Sequence, residues 1–316
     1  MTAPKRLICG VSVATVWTSP ESVRPIDAPA VARPADPKEW IDRMGIEGKL
    51  DLCNGNRVQT QMLYGTPVLV TEEQEDWVQV LIPDQPTRKN PLGYPGWVPR
   101  DQLIDDPAAS SESGDSAVEA GGPQAVVMAD KAWLRDGSSA PLIELSFLTT
   151  LPLVAQEGER VEVLTPHGIA YLSAEEVRVT DGDSSSLVPE GKRGQAIVEQ
   201  GLRFLDLPYL WGGMSSYGYD CSGFAYSMHR SFGILVPRDA SDQAKHGKEI
   251  APDDLEPGDL MFFAHEKGKG AVHHVGIYAG EGKMLHSPET IFSIELVDLA
   301  TYKLAEEHCI SRRYWE

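Results

Sequence analysis

The stretch Tyr217-Gly218-Tyr219-Asp220-Cys221-Ser222-Gly223-Phe224-Ala225-Tyr226-Ser227-Met228 reads as a glycine-rich turn running into a helix. Asp220 suits an N-cap, Phe224, Ala225, Met228 and Phe232 recur at helical spacing, and Gly233 followed by Pro237 closes the segment. Cys221 then takes the first helical position. There, unpaired backbone N–H groups and the positive end of the helix dipole favour a thiolate, the nucleophilic form of cysteine. A cysteine taken alone is more often a buried, inert thiol, so the residues downstream decide its meaning.

A thiol nucleophile needs a base within hydrogen-bond reach and a third group to orient that base. In Ala271-Val272-His273-His274-Val275-Gly276-Ile277-Tyr278, alternation predicts a strand with Val275, Ile277 and Ala279 on its buried face and His274, Gly276 and Tyr278 on the other. Gly280-Glu281-Gly282 turns the chain and Met284-Leu285-His286 returns. His274 and His286 are symmetric about Gly280, so an odd-length loop places them opposite each other, and a two-residue turn offsets them by one. His273 competes for the role of base, but parity puts it with Val275 on the apolar side. Cys221, His274, His286 and Cys309 also have the residue types of a zinc site. None of the usual local ligand pairs is present, so neither a metal nor a cofactor is expected.

Around this centre the period of the chain changes twice. Val198, Leu202 and Leu205 sit at i, i+4 and i+7 on a helix that Pro208 terminates, and strands are expected over 259–263, 272–279 and 284–287. Helices first and antiparallel strands after make 182–316 an α+β domain. Further upstream, 106–122 is a Ser-, Ala-, Asp- and Gly-rich linker. Residues 1–105 look all-β, with strands at 11–16, 66–71, 77–83 and after Gly93-Tyr94-Pro95-Gly96, and a Pro-rich and helical insertion at about 22–56 that includes a helix over 37–44. Residues 123–181 repeat this pattern in shortened form: Trp77-Val78-Gln79-Val80-Leu81-Ile82-Pro83 corresponds to Arg160-Val161-Glu162-Val163-Leu164-Thr165-Pro166, and Trp97–Leu103 to Tyr171–Val177. Two units of short strands point to tandem small β-barrels rather than a solenoid.

Composition bounds the function. The chain has 316 residues, 41% of them hydrophobic, enough for two or three cores, and 47 acidic against 28 basic residues give a formal charge of -19. That charge argues against a nucleic-acid backbone or an anionic membrane as partner. The four cysteines show no paired spacing, which suits a reducing compartment. Lys5-Arg6 followed by 7–17 and Ala28-Pro29-Ala30-Val31-Ala32 faintly imitates a signal peptide, but Gly10, Ser12 and Thr15 interrupt the apolar run and 11–16 alternates like a strand. A cytoplasmic protein is expected, with a secreted one as the alternative.

The motifs carry a resemblance. Asp220-Cys221-Ser222-Gly223-Phe224, Leu255-Glu256-Pro257-Gly258-Asp259-Leu260-Met261-Phe262-Phe263, His274-Val275-Gly276-Ile277-Tyr278, Met284-Leu285-His286 and Tyr209-Leu210-Trp211-Gly212-Gly213 together resemble the NlpC-type, papain-like cysteine peptidases. The barrels are similar to bacterial SH3-like domains. Asp84-Gln85-Pro86-Thr87 with Gly93-Tyr94-Pro95-Gly96-Trp97 resembles the YkfC branch, the γ-D-glutamyl-L-diamino acid endopeptidases. The fold implied is two all-β SH3-like barrels followed by an α+β papain-like catalytic domain.

The resemblance further implies Cys221 as nucleophile, His274 as general base and acid, His286 as the group orienting it, and Tyr209 as a partner of the Cys221 N–H in holding the oxyanion. It makes Asp220, Ser222 and Asp239 substrate-pocket residues and has Tyr94 reach the free amino end of the peptide. The expected partner is a small murein peptide, L-Ala-γ-D-Glu-diamino acid, with release of L-Ala-D-Glu. A wall hydrolase with wall-binding barrels, or an inactive wall-peptide binding module, are the rival functions. One departure stands out: the branch carries a glutamate after Leu-Tyr-Gly, and here Leu63-Tyr64-Gly65 is followed by Thr66, leaving Glu72, Glu73 or Glu75 to supply a carboxylate.

Overall fold

The computed structural model describes residues 5–106, 122–181 and 190–316, which fall into two compact units. Most of the linker expected at 106–122, and the polar stretch before 190, lie outside the described residues. Among those described, no helix is long and apolar enough to cross a membrane.

The first unit holds two seven-stranded antiparallel sheets of identical topology. The first runs Val58–Leu63, Val13–Trp17, Tyr94–Pro99, Trp77–Ile82, Pro67–Gln74, Arg6–Cys9, Leu103–Asp105. The second runs Pro141–Ser146, Lys131–Arg135, Gly168–Ser173, Arg160–Thr165, Thr150–Glu157, Gln124–Val127, Val177–Thr180. Each strand of the first therefore has a counterpart in the second, and the sequence correspondences Trp77 with Arg160 and Trp97 with Tyr171 fall on equivalent strands. Each barrel has its own core, around Leu7, Val16, Val80 and Val98 in one and Val127, Leu134, Val161 and Leu172 in the other. Leu7 and Cys9, in the stretch that imitates a signal peptide, are fully buried strand residues.

The insertion lies between the second and third strands of the first barrel. The helix expected over 37–44 is present as Pro37–Arg43, and Asp36 caps it by accepting from the Glu39 N–H at 2.8 Å. Trp40, from this helix, is fully buried against Trp17 and donates to Asp27 at 2.8 Å. A further helix, Ile46–Asn54, has no counterpart among the sequence expectations: Gly48 and the charges at Glu47, Lys49 and Asp51 break its apolar stripe to Leu52 alone.

The second unit is α+β. A six-stranded antiparallel sheet, ordered Lys248–Ile250, His308–Arg313, Leu260–Ala264, Val272–Gly280, Lys283–His286, Glu295–Asp298, packs against the helices Arg193–Leu202 and Cys221–Arg230. The first helix differs from expectation. It ends at Leu202, well before Pro208, and buries Ile197, Val198 and Gly201, while Leu205 lies beyond it and is exposed. Gly201 is why the stripe moved: a Cβ there would lie 2.7 Å from Leu285 and 3.1 Å from Phe224, so the smallest residue faces the tightest contact.

The histidine hairpin sets the register of the site. Ile277 pairs with Leu285 and Tyr278 with Met284, and a bulge precedes the Gly280–Lys283 pair at the turn. Continuing that register sets His286 opposite Gly276, on the same face as His274 and diagonal to it, rather than directly opposite His274. Both faces of this strand are covered, and His274, Val275, Gly276 and Ile277 are all buried. Gly276 is the gap through which His286 reaches across: a Cβ there would stand 2.3 Å from the Met284 sulfur and 3.2 Å from the His286 Cβ.

Two expectations follow. Gly276→Ala should cost about 1–3 kcal/mol through overpacking and push His286 off His274. A thermal midpoint and catalytic rate both equal to wild type would refute that reading. His229, fully buried on the cysteine helix with its Nδ1 donating to Ala225 O at 2.9 Å, is lowered by burial to about 4. Its folded-state value lies below its unfolded one, so its contribution is complete above the unfolded value and is lost as pH falls from about 6.5 toward 4, at up to about 1.4 kcal/mol per pH unit. Chemical denaturation of wild type and His229→Gln across that window should show the steeper acid loss in wild type.

Candidate active site

Glycine-containing turns and one strand pairing bring Cys221 to its position. Tyr209 bridges to Tyr219 in parallel, the Tyr209 N–H donates to Phe292 O at 2.9 Å, and Asp220 then opens the helix. The Asp220 carboxylate accepts from the Gly223 N–H at 2.7 Å, the N-cap bond expected from the sequence. The same carboxylate is gripped by Arg238, Nη2 to Oδ2 at 2.6 Å and Nη1 to Oδ1 at 3.1 Å, while Nη1 also donates to the Ser222 hydroxyl at 2.9 Å. Asp220 and Ser222 are thus parts of one buried network. Arg238 was not foreseen, because nothing in Pro237-Arg238-Asp239 signals that this cation is 1% exposed.

The helix Cys221–Arg230 packs against the strand Val272–Gly280 that carries His274, and the Val275 N–H acts on the Cys221 thiol to favour its charged form. His274 Nε2 and His286 Nδ1 are 2.8 Å apart, and both rings are buried. Tyr302 packs edge-on to His286 with centroids 5.2 Å apart, and Phe263 packs on both Tyr302 and His274. His286 is fully buried, and its Nε2 has no hydrogen-bond partner among the described residues; Glu295 Oε1 approaches it at 3.4 Å. His286 and Glu295 are register partners on adjacent strands, so they share a face. Only the pairing of Lys283–His286 with Glu295–Asp298 could reveal Glu295, and sequence spacing does not supply it.

The electrostatics differ from the expectation of a ready-made thiolate. Burial of the sulfur pushes the Cys221 thiol up to about 12, and the Asp220 charge adds to this. The Val275 and Ser222 N–H groups and Arg238 only partly oppose them. Burial likewise holds His274 well below its ordinary value, with the His286, His273 and Lys303 charges acting in the same direction, and holds His286 at about 4. The cap carboxylate offsets the helix dipole that favours a thiolate. At neutral pH the resting pair is thiol and neutral imidazole.

The other expected residues are distributed as follows. Asp239 occupies the N-cap position of the short helix Ala240–Gln243, but its carboxylate makes no cap bond there and pairs with Lys89 at 3.2 Å. Lys89 belongs to Gln85–Pro91, which leaves the first barrel's chain yet counts with the second unit. In the same segment Pro86 O accepts from the Arg238 N–H at 2.9 Å, and the Arg88 N–H donates to Asp242 at 3.0 Å. Tyr94 lies in the first unit, 2% exposed and part of the first barrel's core. Thr66 closes a turn onto Leu63 O, and Glu72, Glu73 and Glu75 are exposed on and just after the following strand, all in the first unit. His273 bonds to Glu307 at 2.7 Å rather than to either member of the pair. Cys309 is exposed, its thiol on Phe262 O at 3.3 Å.

Comparison with known proteins accounts for the domain organisation. Residues 206–313 match the NlpC/P60 family, 127–179 the YKFC SH3b2 domain, and 54–103 the bacterial dipeptidyl-peptidase Sh3 domain. The chain is 42% identical over 302 residues to the gamma-D-glutamyl-L-lysine dipeptidyl-peptidase of Bacillus subtilis (strain 168), covering 96% of each chain. It is 39% identical to the Bacillus cereus (strain ATCC 10987) protein of the same name, over 96% of this chain and 89% of that one. The crystal structure of an NlpC/P60 family protein from Bacillus cereus superposes with a TM-score of 0.91 at 37% identity, over 98% of this chain and 100% of the other. The chain belongs to the NlpC/P60 family, as a cysteine peptidase whose catalytic domain follows two SH3-like domains.

Proposed function

We propose that the chain hydrolyses the γ-D-glutamyl bond to the diamino acid of murein peptides with a free L-Ala, releasing L-Ala-D-Glu in the recycling of wall peptides. The chemistry rests on the buried 2.8 Å contact of His274 with His286 beside the helix-start Cys221. The substrate rests on the two near full-length relatives named for that bond. In this reading a proton on His286 Nε2, held toward Glu295, leaves Nδ1 as acceptor for His274 Nε2–H. His274 Nδ1 is then bare and takes the Cys221 proton as sulfur attacks the γ-carbonyl carbon. The resting thiol makes this concerted transfer necessary. The Cys221 N–H and Tyr209 hold the oxyanion, and His274 returns the proton to the departing amine. Water, deprotonated by His274, then cleaves the thioester. Asp220, Ser222 and Asp239 border the substrate.

The reading places the reaction in the cytoplasm. No disulfide joins the four cysteines, a state that a reducing compartment preserves. Recovery of the activity from culture medium rather than from the cell interior would transfer it to the wall.

Mass analysis of L-Ala-γ-D-Glu-L-Lys and its diaminopimelate counterpart, incubated with wild type and Cys221→Ala, tests the chemistry. Wild type should release L-Ala-D-Glu and the variant should not. Equal release by both removes Cys221 from the mechanism. An acetylated amino end should slow cleavage by at least about tenfold, since a dipeptidyl-peptidase reads a free terminus and an unpaired site charge costs more than 1.4 kcal/mol. Glu295→Gln should lower kcat severalfold with KM unchanged, because the solvent-exposed carboxylate acts through His286 alone. A change confined to KM would contradict that role.

A further inference from the structure

Across the strand from the catalytic pair, the sheet gathers a second group of donors that the mechanism does not use. His265 follows the strand Leu260–Ala264, His273 lies on Val272–Gly280, and Glu307 immediately precedes His308–Arg313, so the three come from neighbouring strands of one sheet. One ligand atom from each lies within 4.8 Å of the other two. The His265 and His273 rings are stacked, with centroids 4.1 Å apart and 12° between planes, and His273 Nε2 contacts Glu307 at 2.7 Å.

The placement of His265 is built by its turn. Its N–H donates to Ala271 O at 3.1 Å and its carbonyl accepts from the Gly270 N–H at 2.8 Å. Glu266 and Lys267 between them adopt left-handed backbone with φ of 56° and 54°, which costs free energy at non-glycine residues. The chain thus folds back tightly enough to lay His265 on His273. Two imidazoles face to face repel one another when protonated, and neither the stack nor the tight turn serves the Cys221 chemistry.

We infer that His265, His273 and Glu307 form a site for a divalent first-row transition metal, with Zn2+ as its natural probe. Two imidazoles and one carboxylate are a recurring zinc donor set that leaves the fourth position open to water or a ligand. Tetrahedral donors at zinc stand about 3.3 Å apart, so the widest separation must close by up to about 1.5 Å while the His273–Glu307 contact, at 2.7 Å, opens slightly. His265 is exposed and can swing in-plane, and Glu307 already touches His273. The chain's formal charge of -19 draws cations to its surface. A bound ion would tie the His265 turn and the Glu307 segment to the strand that carries His274. The site is independent of the peptidase reading.

Calorimetric titration of ZnCl2 into the full chain carrying Cys221→Ala, which removes the catalytic thiol as a competing ligand, tests the site. One equivalent should bind. Adding His265→Ala or Glu307→Gln to that background should weaken binding by about tenfold or more each, the loss typical of a disturbed metal site. Both added changes are at exposed or half-buried side chains, and thermal midpoints without metal establish that the variants fold. At one fixed zinc concentration, zinc should raise the midpoint of the Cys221→Ala chain more than that of either double variant. Absence of saturable binding overturns the inference. So does an affinity unchanged in both double variants, which puts the metal elsewhere, or a loss in only one, which reduces the site to a two-donor contact.

Discussion

The interaction on which the site depends is the buried pair between Asp220 and Arg238. A carboxylate at the first turn of a helix is favoured by the dipole and the free N–H groups, but a buried charge must be matched. Arg238 matches it bidentately, and the same guanidinium reaches the Ser222 hydroxyl. The Arg238 backbone N–H, in turn, holds Pro86 O. One cation therefore orders the helix start, the residue on each side of Cys221, and the segment Gln85–Pro91. Removing one partner of such a pair strands a buried charge, at about 3–5 kcal/mol. The arrangement ties catalytic geometry to global stability.

That pair also explains why the thiol is quiet at rest. A helix start suggests an acidified cysteine, and an uncharged cap residue would leave the dipole free to act. Here the cap is itself an anion adjacent to the sulfur, and the sulfur is desolvated, so both influences favour the protonated form. The imidazoles are neutral for the same reason of burial. In the mechanism proposed above, the ion pair therefore forms during attack rather than at rest.

Sequence reading reached the architecture because its signals are local or repetitive. Strand alternation, the capped helix Cys221–Arg230, the helix Pro37–Arg43 and the repeated Trp77 and Arg160 strands each announce themselves within a few residues. Cys221, His274 and His286 were legible as candidates for a similar reason, each lying in a motif of recognisable composition. What escaped depends on distance in the chain. The diagonal offset of His286 from His274 hinges on one bulge at the hairpin turn. Arg238, Glu295 and the His265 turn take their meaning from burial or from strands paired late in the sequence. The helix Ile46–Asn54 escaped for want of amphipathic contrast, since packing rather than periodicity sustains it.

The two barrels share a strand order yet differ sharply at one connection. Residues 18–57 join the second and third strands of the first barrel with turns and helices. In the second, 136–140 suffice, closed by Asp136 accepting from the Ser138 and Ala140 N–H groups at 2.8 and 2.9 Å. The sheet is indifferent to what this connection contains, since loop length costs free energy only logarithmically. The first barrel thus carries a helical module at a connection that five residues close in the second, so the shared strand pairing does not depend on the length of this connection.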